Sequence, residues 1–403
     1  MKVLYTAAHG GFAAEHAPLG GGAAIFEMLS AEWAKSKPFE LEFFTPQSNN
    51  GHDITNFDTG SYARFSRQFE AASTEAIRRH DPDTTVILVN DIAEGPNFKA
   101  IQDYKIATIW HVDVVAYIAA IYCRQFVAPE TLVKLHRRLG NAYPDVLKLI
   151  FQKQSDCVQY SAAHIVPSVT MKEIILRCFP DTPPEKIHVL PWGAPPTLPR
   201  IDKQTARQQL GIPSDALVLV TLSRLSPEKN QQLMLDALAI WERQPNYPKI
   251  YAIICGSAAY MHGKKHESLL RAKAAKLTKT KVVFPGHVHG AQKQRYFSAA
   301  DLYIFPSSHE SYGLTLMEAF QYGLPALTLD NAAMLPAFGA IATQATFLTK
   351  LKWLTQSDLA AKGQAAQAYA RQNPFANAAA RLATILKDAS SPPAPARPAA
   401  PRP

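Results

Sequence analysis

Glu310 and Glu318 are two carboxylates set eight residues apart in the segment Ser307–Leu327. The first falls in a polar turn after the apolar run Asp301–Pro306, and the second lies inside a helix expected to open near Gly313. A helix N-terminus offers backbone N–H groups that have no partner within the helix and attract phosphate. Glu318, two turns in, has acceptor oxygens that suit a ribose diol. Glu310 suits sugar hydroxyls, or positive charge developing at an anomeric carbon. Turn, helix start and paired carboxylates together fit a nucleotide-linked sugar. Two solvated glutamates on an amphipathic helix are the alternative, and the spacing alone does not decide.

Other segments add chemistry of the same kind. Arg224 and Lys229 follow the apolar run Leu217–Leu222 and flank Pro227 just before another helix. They suit a diphosphate, Arg through a fork of donors and Lys as a point charge. Cations at a helix start oppose its dipole, so a compensating contact is expected there. Gly286-His287-Val288 follows the run Lys281–Phe284 and offers backbone groups to a base. In the first half, Gly20-Gly21-Gly22 precedes a helix from about Ala23 to Lys35. Those glycines let backbone N–H groups approach a phosphate, with a flexible loop as the alternative. His111 ends the strand-like run Ala107–His111, two residues before Asp113. A substrate contact or a proton shared with Asp113 is expected there, against a purely structural histidine. Asp81-Pro82-Asp83 lies between a helix end and a strand start, and reads as a turn rather than a metal site.

Sheets must hold these residues. Lys2–Thr6, the glycine loop, a helix and the run Glu40–Thr45 form the opening of a doubly wound α/β sheet. Further strands are expected at Thr84–Val89, Ala107–His111, His164–Pro167 and Ile187–Pro191. The Pro-rich stretch Trp192–Arg200 marks a boundary, and the pattern restarts at Leu217 with at least five strand–helix units. The expected domains are residues 1–195, residues 196–372, a crossing helix over 373–388 and a Pro/Ala-rich disordered tail over 389–403. From about Thr343 the chain is expected to be helical, broken once at Pro374.

Three segments together resemble the successive signatures of glycosyltransferase family four, a family of retaining enzymes. They are Ser223-Arg224-Leu225-Ser226-Pro227-Glu228-Lys229-Asn230, Val283-Phe284-Pro285-Gly286-His287-Val288, and the run Pro306–Pro325 with Glu310 and Glu318. The glycine loop, His111 and His164–Ser168 are similar more loosely, and the resemblance covers about Met1 to Leu386. It implies a GT-B fold: two Rossmann-like doubly wound domains facing across a cleft, with a C-terminal helix crossing back to the first. It implies that Arg224 and Lys229 bind the donor diphosphate, Glu310 the donor sugar and Glu318 the ribose. Ser311, Tyr312, Gly313 and Leu314 would supply backbone contacts, and Gly20, Gly21 and Gly22 would approach the diphosphate from the other domain. His111 would lie near the reacting carbon and the acceptor.

The implied reaction moves a hexose from a UDP- or GDP-linked donor to an acceptor hydroxyl, with no cofactor and no catalytic metal. An epimerase or hydrolase of the same fold, or a non-catalytic nucleotide-binding subunit, are the alternatives. Two departures stand out: Ala23-Ala24 follows the glycine loop, and Asn331–Phe338 replaces a Gly-rich, Glu-containing segment.

Composition narrows the setting. The chain has 403 residues, 47% of them hydrophobic, and a net charge of +9. Its four cysteines form no CxxC pair, which fits a reducing compartment. The N-terminal apolar run is too short for a signal peptide, and no run approaches the ~20 residues of a membrane span. A soluble, cytoplasmic protein is expected. The basic, partly apolar region Arg124–Lys153 reads first as a solvated charged face; the alternative is peripheral contact with an anionic membrane, and with it a lipid or membrane-associated acceptor. No dense Lys/Arg run with interleaved aromatics points to nucleic acid.

Overall fold

The structure is a computed structural model, and it describes residues 1–11, 20–46, 59–113, 115, 127–139, 145–258, 263–330 and 338–390. Residues 331–337 of the departing segment, part of the basic region and the tail from residue 391 lie outside the described residues.

Two six-stranded parallel sheets make up the architecture. The first contains β1 (Lys2–Thr6), β2 (Glu40–Phe44), β3 (Thr85–Val89), β4 (Lys105–Ile109), β5 (Ala163–Val166) and β6 (Ile187–Val189), in the order β2-β1-β3-β4-β5-β6. The second contains β7 (Leu217–Leu222), β8 (Ile250–Cys255), β9 (Thr280–Gly286), β10 (Leu302–Phe305), β11 (Ala326–Leu329) and β12 (Ala340–Ala342), in the order β12-β11-β10-β7-β8-β9. Central strands such as β3 and β10 are buried along their whole length. Their unbroken apolar runs are what a parallel strand covered on both faces requires.

Each sheet reverses its direction of growth once. In the first sheet the chain leaves β1 for β2 on one side and returns to β3 on the other; in the second, β8 and β10 flank β7. Loops diverge above these two places, β1/β3 and β7/β10, and open sheets bind ligands there, beyond the carboxyl ends of the strands.

Two expectations need correction. β4 ends at Ile109 rather than His111, because its pairing with β5 stops there, so His111 stands in the loop beyond. The second sheet, expected to hold at least five strand–helix units, has six strands, with β12 following β11. The C-terminal helical region breaks after Thr355 as well as at Pro374, since Asp358 caps a new helix by accepting from Ala361 N–H.

The last helix, Phe375–Ser390, crosses back to the first sheet's layer. Trp33 Nε1 donates to Ala379 O at 3.1 Å, and Trp192 stacks on Phe375 with ring centroids 6.2 Å apart. Ala194 N–H donates to Asn373 O at 2.7 Å and Phe375 N–H to Ala194 O at 2.9 Å, so the two crossings of the chain run side by side. One hydrophobic cluster joins Val3, Trp33 and Trp192 with Tyr303, Phe320 and Leu382.

Candidate active site

The loop after β7 carries Arg224 and then a single 3-10 turn, Pro227–Lys229. Asn230 follows at φ 53°, a left-handed conformation that asparagine tolerates, and opens the helix Gln231–Trp241. Two buried residues hold this loop. Gln231 donates from Nε2 to Ser223 Oγ at 2.8 Å and to Arg224 O at 2.7 Å. Glu228 accepts from Ser226 Oγ at 2.6 Å, and its backbone carbonyl accepts from Ser308 N at 2.9 Å and Ser308 Oγ at 3.0 Å. The β7 and β10 loops are thereby tied together.

That tie brings Lys229 to Glu310. Lys229 Nζ donates to Glu310 Oε1 at 2.5 Å, with each side chain 13% exposed. Arg224 lies 3.7 Å from Glu228. These carboxylates supply the compensation that cations at a helix start call for. Glu318 also has a cationic partner: Lys293, on the helix Gly290–Ala299, donates to its Oε1 at 2.6 Å. Among the described residues, both glutamates singled out from the sequence are thus neutralised by lysines.

Gly313 adopts φ 97° and opens the helix Leu314–Gln321. Tyr303 fixes its start: its hydroxyl lies within hydrogen-bond distance of Leu222 O at 3.1 Å and of Thr315 Oγ1 at 2.9 Å. Ser311 and Leu314 flank this turn, but the Tyr312 side chain points back into the core, where its hydroxyl accepts from Gly193 N–H at 2.7 Å. At the end of β9, Gly286 takes φ 79°, Val288 is buried and His287 is exposed.

The first domain presents the helix Gly21–Ser36, which starts directly after Gly20. A Cβ added to Gly21 would lie 3.9 Å from Leu314 Cδ1, so the two helix N-termini face one another. A Cβ on Gly22 would lie 3.0 Å from His111 Cδ2 and 3.3 Å from Asp91 Oδ1. The glycine keeps that junction open. Burial pushes the His111 imidazole down to about 4, against an opposing pull from Asp91, so the ring is neutral at pH 7. Among the described residues, His111 Nε2 is buried without a partner.

Asp113 is not the carboxylate beside His111. Its Oδ1 accepts from Gln154 Nε2 at 3.3 Å, while Asp91, Glu94 and His9 lie in the field of the imidazole. Asp91, just past β3, accepts at Oδ2 from the backbone N–H groups of Ala8 at 2.9 Å and His9 at 3.3 Å. Glu94 Oε1 lies 3.5 Å from His9 Nε2 and accepts a short hydrogen bond from the Tyr62 hydroxyl. Burial opposes ionisation of Glu94, but His9 and Tyr62 outweigh it and hold the carboxyl below its ordinary range. By contrast Asp81 and Asp83 form a turn, with Asp81 Oδ1 accepting from Asp83 N at 3.0 Å.

Two doubly wound sheets, joined by a crossing helix and carrying polar clusters at both switch points, define a GT-B protein. HepE from Anabaena, solved in complex with UDP-glucose, shares this fold with a TM-score of 0.63 at 17% identity, over 96% of this chain and 100% of that one. Residues 202–339 match the family model described as glycosyl transferases group 1. D-inositol 3-phosphate glycosyltransferase from Thermobispora bispora is 33% identical over 146 residues, 36% of this chain and 34% of that protein. Alpha-monoglucosyldiacylglycerol synthase from Streptococcus pneumoniae is 28% identical over 151 residues, 36% of this chain and 33% of that protein. The matches thus span about a third of the length of these two curated relatives.

Proposed function

We propose that the chain is a retaining hexosyltransferase that takes a UDP- or GDP-linked hexose and transfers it to an acceptor hydroxyl. The observation that carries this reading is the Lys229–Glu310 pair at the β7/β10 switch point, beside the N-terminus of the helix Leu314–Gln321. In this reading Arg224, Lys229 and that helix N-terminus bind the donor diphosphate. Negative charge grows on the diphosphate as the glycosidic bond breaks, and fixed positive groups there favour the transition state over the ground state. Glu310 takes sugar hydroxyls and faces the oxocarbenium-like carbon. Glu318 takes the ribose, and the backbone of Gly286–Val288 takes the base. Gly20–Gly22 approach the diphosphate from the other side of the cleft. No side chain is assigned as a covalent nucleophile: the acceptor attacks on the face that the diphosphate leaves, and a phosphate oxygen takes its proton.

His111 lies across from Leu314 through Gly21 and Gly22, which is where an acceptor would enter. Its neutral ring can accept from, or donate to, an acceptor hydroxyl. No helix among the described residues is long and apolar enough to cross a membrane. The helix Pro129–Leu139 exposes Lys134, Leu135, Arg137 and Arg138, and we assign it a peripheral contact with anionic lipid that favours a lipid or membrane-associated acceptor. The Streptococcus pneumoniae relative, whose name specifies a glucosylated diacylglycerol, supports that choice of acceptor class.

The test is a thermal-shift screen with UDP-, GDP- and ADP-sugars, since a ligand that binds only the folded state raises its apparent stability. One nucleotide series should stabilise the protein, and the same donor should be consumed faster with an acceptor than without. Donor consumption that no acceptor accelerates would indicate a hydrolase or epimerase. Binding without turnover on any acceptor would indicate a nucleotide-binding subunit.

A further inference from the structure

The β1/β3 switch point of the first sheet carries a cluster that the transfer reaction proposed above does not use. We propose that His9, Asp91 and Glu94 form a binding site for a divalent first-row transition cation of the Mn²⁺ or Zn²⁺ kind. The three residues come from the ends of β1 and β3, and one ligand atom from each lies within 4.8 Å of the others. Metal–ligand bonds of roughly 2.1 Å set neighbouring ligand atoms about 3.0 to 3.4 Å apart. His9 Nε2 and Glu94 Oε1 are already at 3.5 Å, so small side-chain rotations complete the set.

Ligand chemistry selects the class of ion. One imidazole nitrogen with two carboxylates suits Mn²⁺, Fe²⁺ or Zn²⁺, whereas Ca²⁺ and Mg²⁺ favour all-oxygen sets. Partners outside the ligand set fix both carboxylates, as metal-binding carboxylates require. Tyr62 donates to Glu94, and Asn90 Nδ2 donates to Asp91 Oδ1 at 3.1 Å. A separate observation points to a ligand at the same place. Among the described residues His111 Nε2 is buried with no partner, and a Cβ at Gly22 would touch both His111 and Asp91 Oδ1. A water or hydroxyl on the cation would give that nitrogen its hydrogen bond. A cation here would also offset the charge of the two carboxylates. Cation binding is measured without donor or acceptor, so it stands or falls separately from the transferase reading.

The experiment uses the full chain, stripped with a chelator and titrated with Mn²⁺, with free ion followed by electron paramagnetic resonance and heat by calorimetry. We expect one Mn²⁺ per chain with a Kd below ~100 µM. Both His9→Gln and Glu94→Gln should weaken binding at least roughly tenfold while melting normally without metal. No saturable binding by the wild-type chain up to ~5 mM would overturn the proposal, as would unchanged affinity in both variants. If Glu94→Gln fails to fold, anomalous diffraction from a Mn²⁺-soaked crystal decides. A peak between His9 and Asp91 supports the site, and a peak elsewhere or none overturns it.

Discussion

Lys229 and Glu310 stand in different loops, 81 residues apart in sequence, yet their charged atoms meet at 2.5 Å. The cation proposed for the diphosphate and the anion proposed for the sugar thus neutralise each other. In the reading proposed above, a donor separates them, its phosphates replacing Glu310 on Lys229 and its sugar replacing Lys229 on Glu310. Lys229→Ala or Glu310→Ala should lose at least roughly tenfold in transfer, about 1.4 kcal/mol of transition-state stabilisation. Glu310→Gln should separate the two roles. UDP alone should bind at least about threefold more tightly, because Lys229 no longer has to leave a charged partner, while turnover falls. Calorimetry with UDP and initial rates with the donor check this; near wild-type turnover in both alanine variants would remove the assignment.

Lys293 holds Glu318 at 2.6 Å, with side chains 22% and 12% exposed. If Glu318 grips the ribose, Lys293 is a positioning residue for that grip. Lys293→Met should weaken UDP binding about three- to tenfold, the range expected for a charge-assisted hydrogen bond, and leave 2′,3′-dideoxy-UDP nearly unaffected. Equal losses for both nucleotides would show that Lys293 acts through packing instead.

The exposed basic face of the helix Pro129–Leu139 bears on the acceptor. Co-sedimentation with anionic liposomes at low salt should capture the protein, and high salt should release it. Reversing Lys134 and Arg138 to Glu should lower the partition at least roughly fivefold, since each charge near an anionic surface contributes about 1 kcal/mol. Absence of binding at low salt counts against a membrane-associated acceptor.

His164 makes acid sensitivity a property of the first sheet. Trp110 Nε1 donates to its Nδ1 at 3.3 Å, which places the proton on Nε2, and burial pushes its pKa from 6.5 down to about 4. The folded state thus binds fewer protons than the unfolded chain between those values. Its contribution is complete above pH 6.5 and fades as pH falls towards 4, by about 3 kcal/mol in all. Denaturation at several pH values should show a shallower slope over that window in His164→Gln than in wild type. An identical slope would mean that the imidazole is not what titrates.

Much of this was legible in the chain itself. Unbroken apolar runs such as Thr85–Val89 mark buried parallel strands, and the turn chemistry at Gly313 marks a helix start. Ala340–Ala342 was not legible, because a run of three residues, Ala-Ile-Ala, is too short to show a periodicity. Gly339 shows the constraint only in space, where a Cβ would lie 2.0 Å from Ala326 O. The partners of the marked residues were hidden for the same reason. Lys293, Glu228 and the His9–Asp91–Glu94 group reach their places through loop ties and strand order, and no local spacing encodes either. His111 was found by its position near a strand end, but its carboxylate neighbour comes from the loop after β3 rather than from two residues along.

The helix Phe375–Ser390 also sets an order of assembly. A chain leaving the ribosome folds from its N-terminus, domain by domain. Here the first sheet is synthesised long before the helix that covers Trp33 and Trp192. Until residues 375–390 emerge, those indoles and the apolar positions that meet Leu382 and Leu386 face water or a chaperone. The first domain to be made is thus the last to be finished, and closing it certifies that the second has been translated in full.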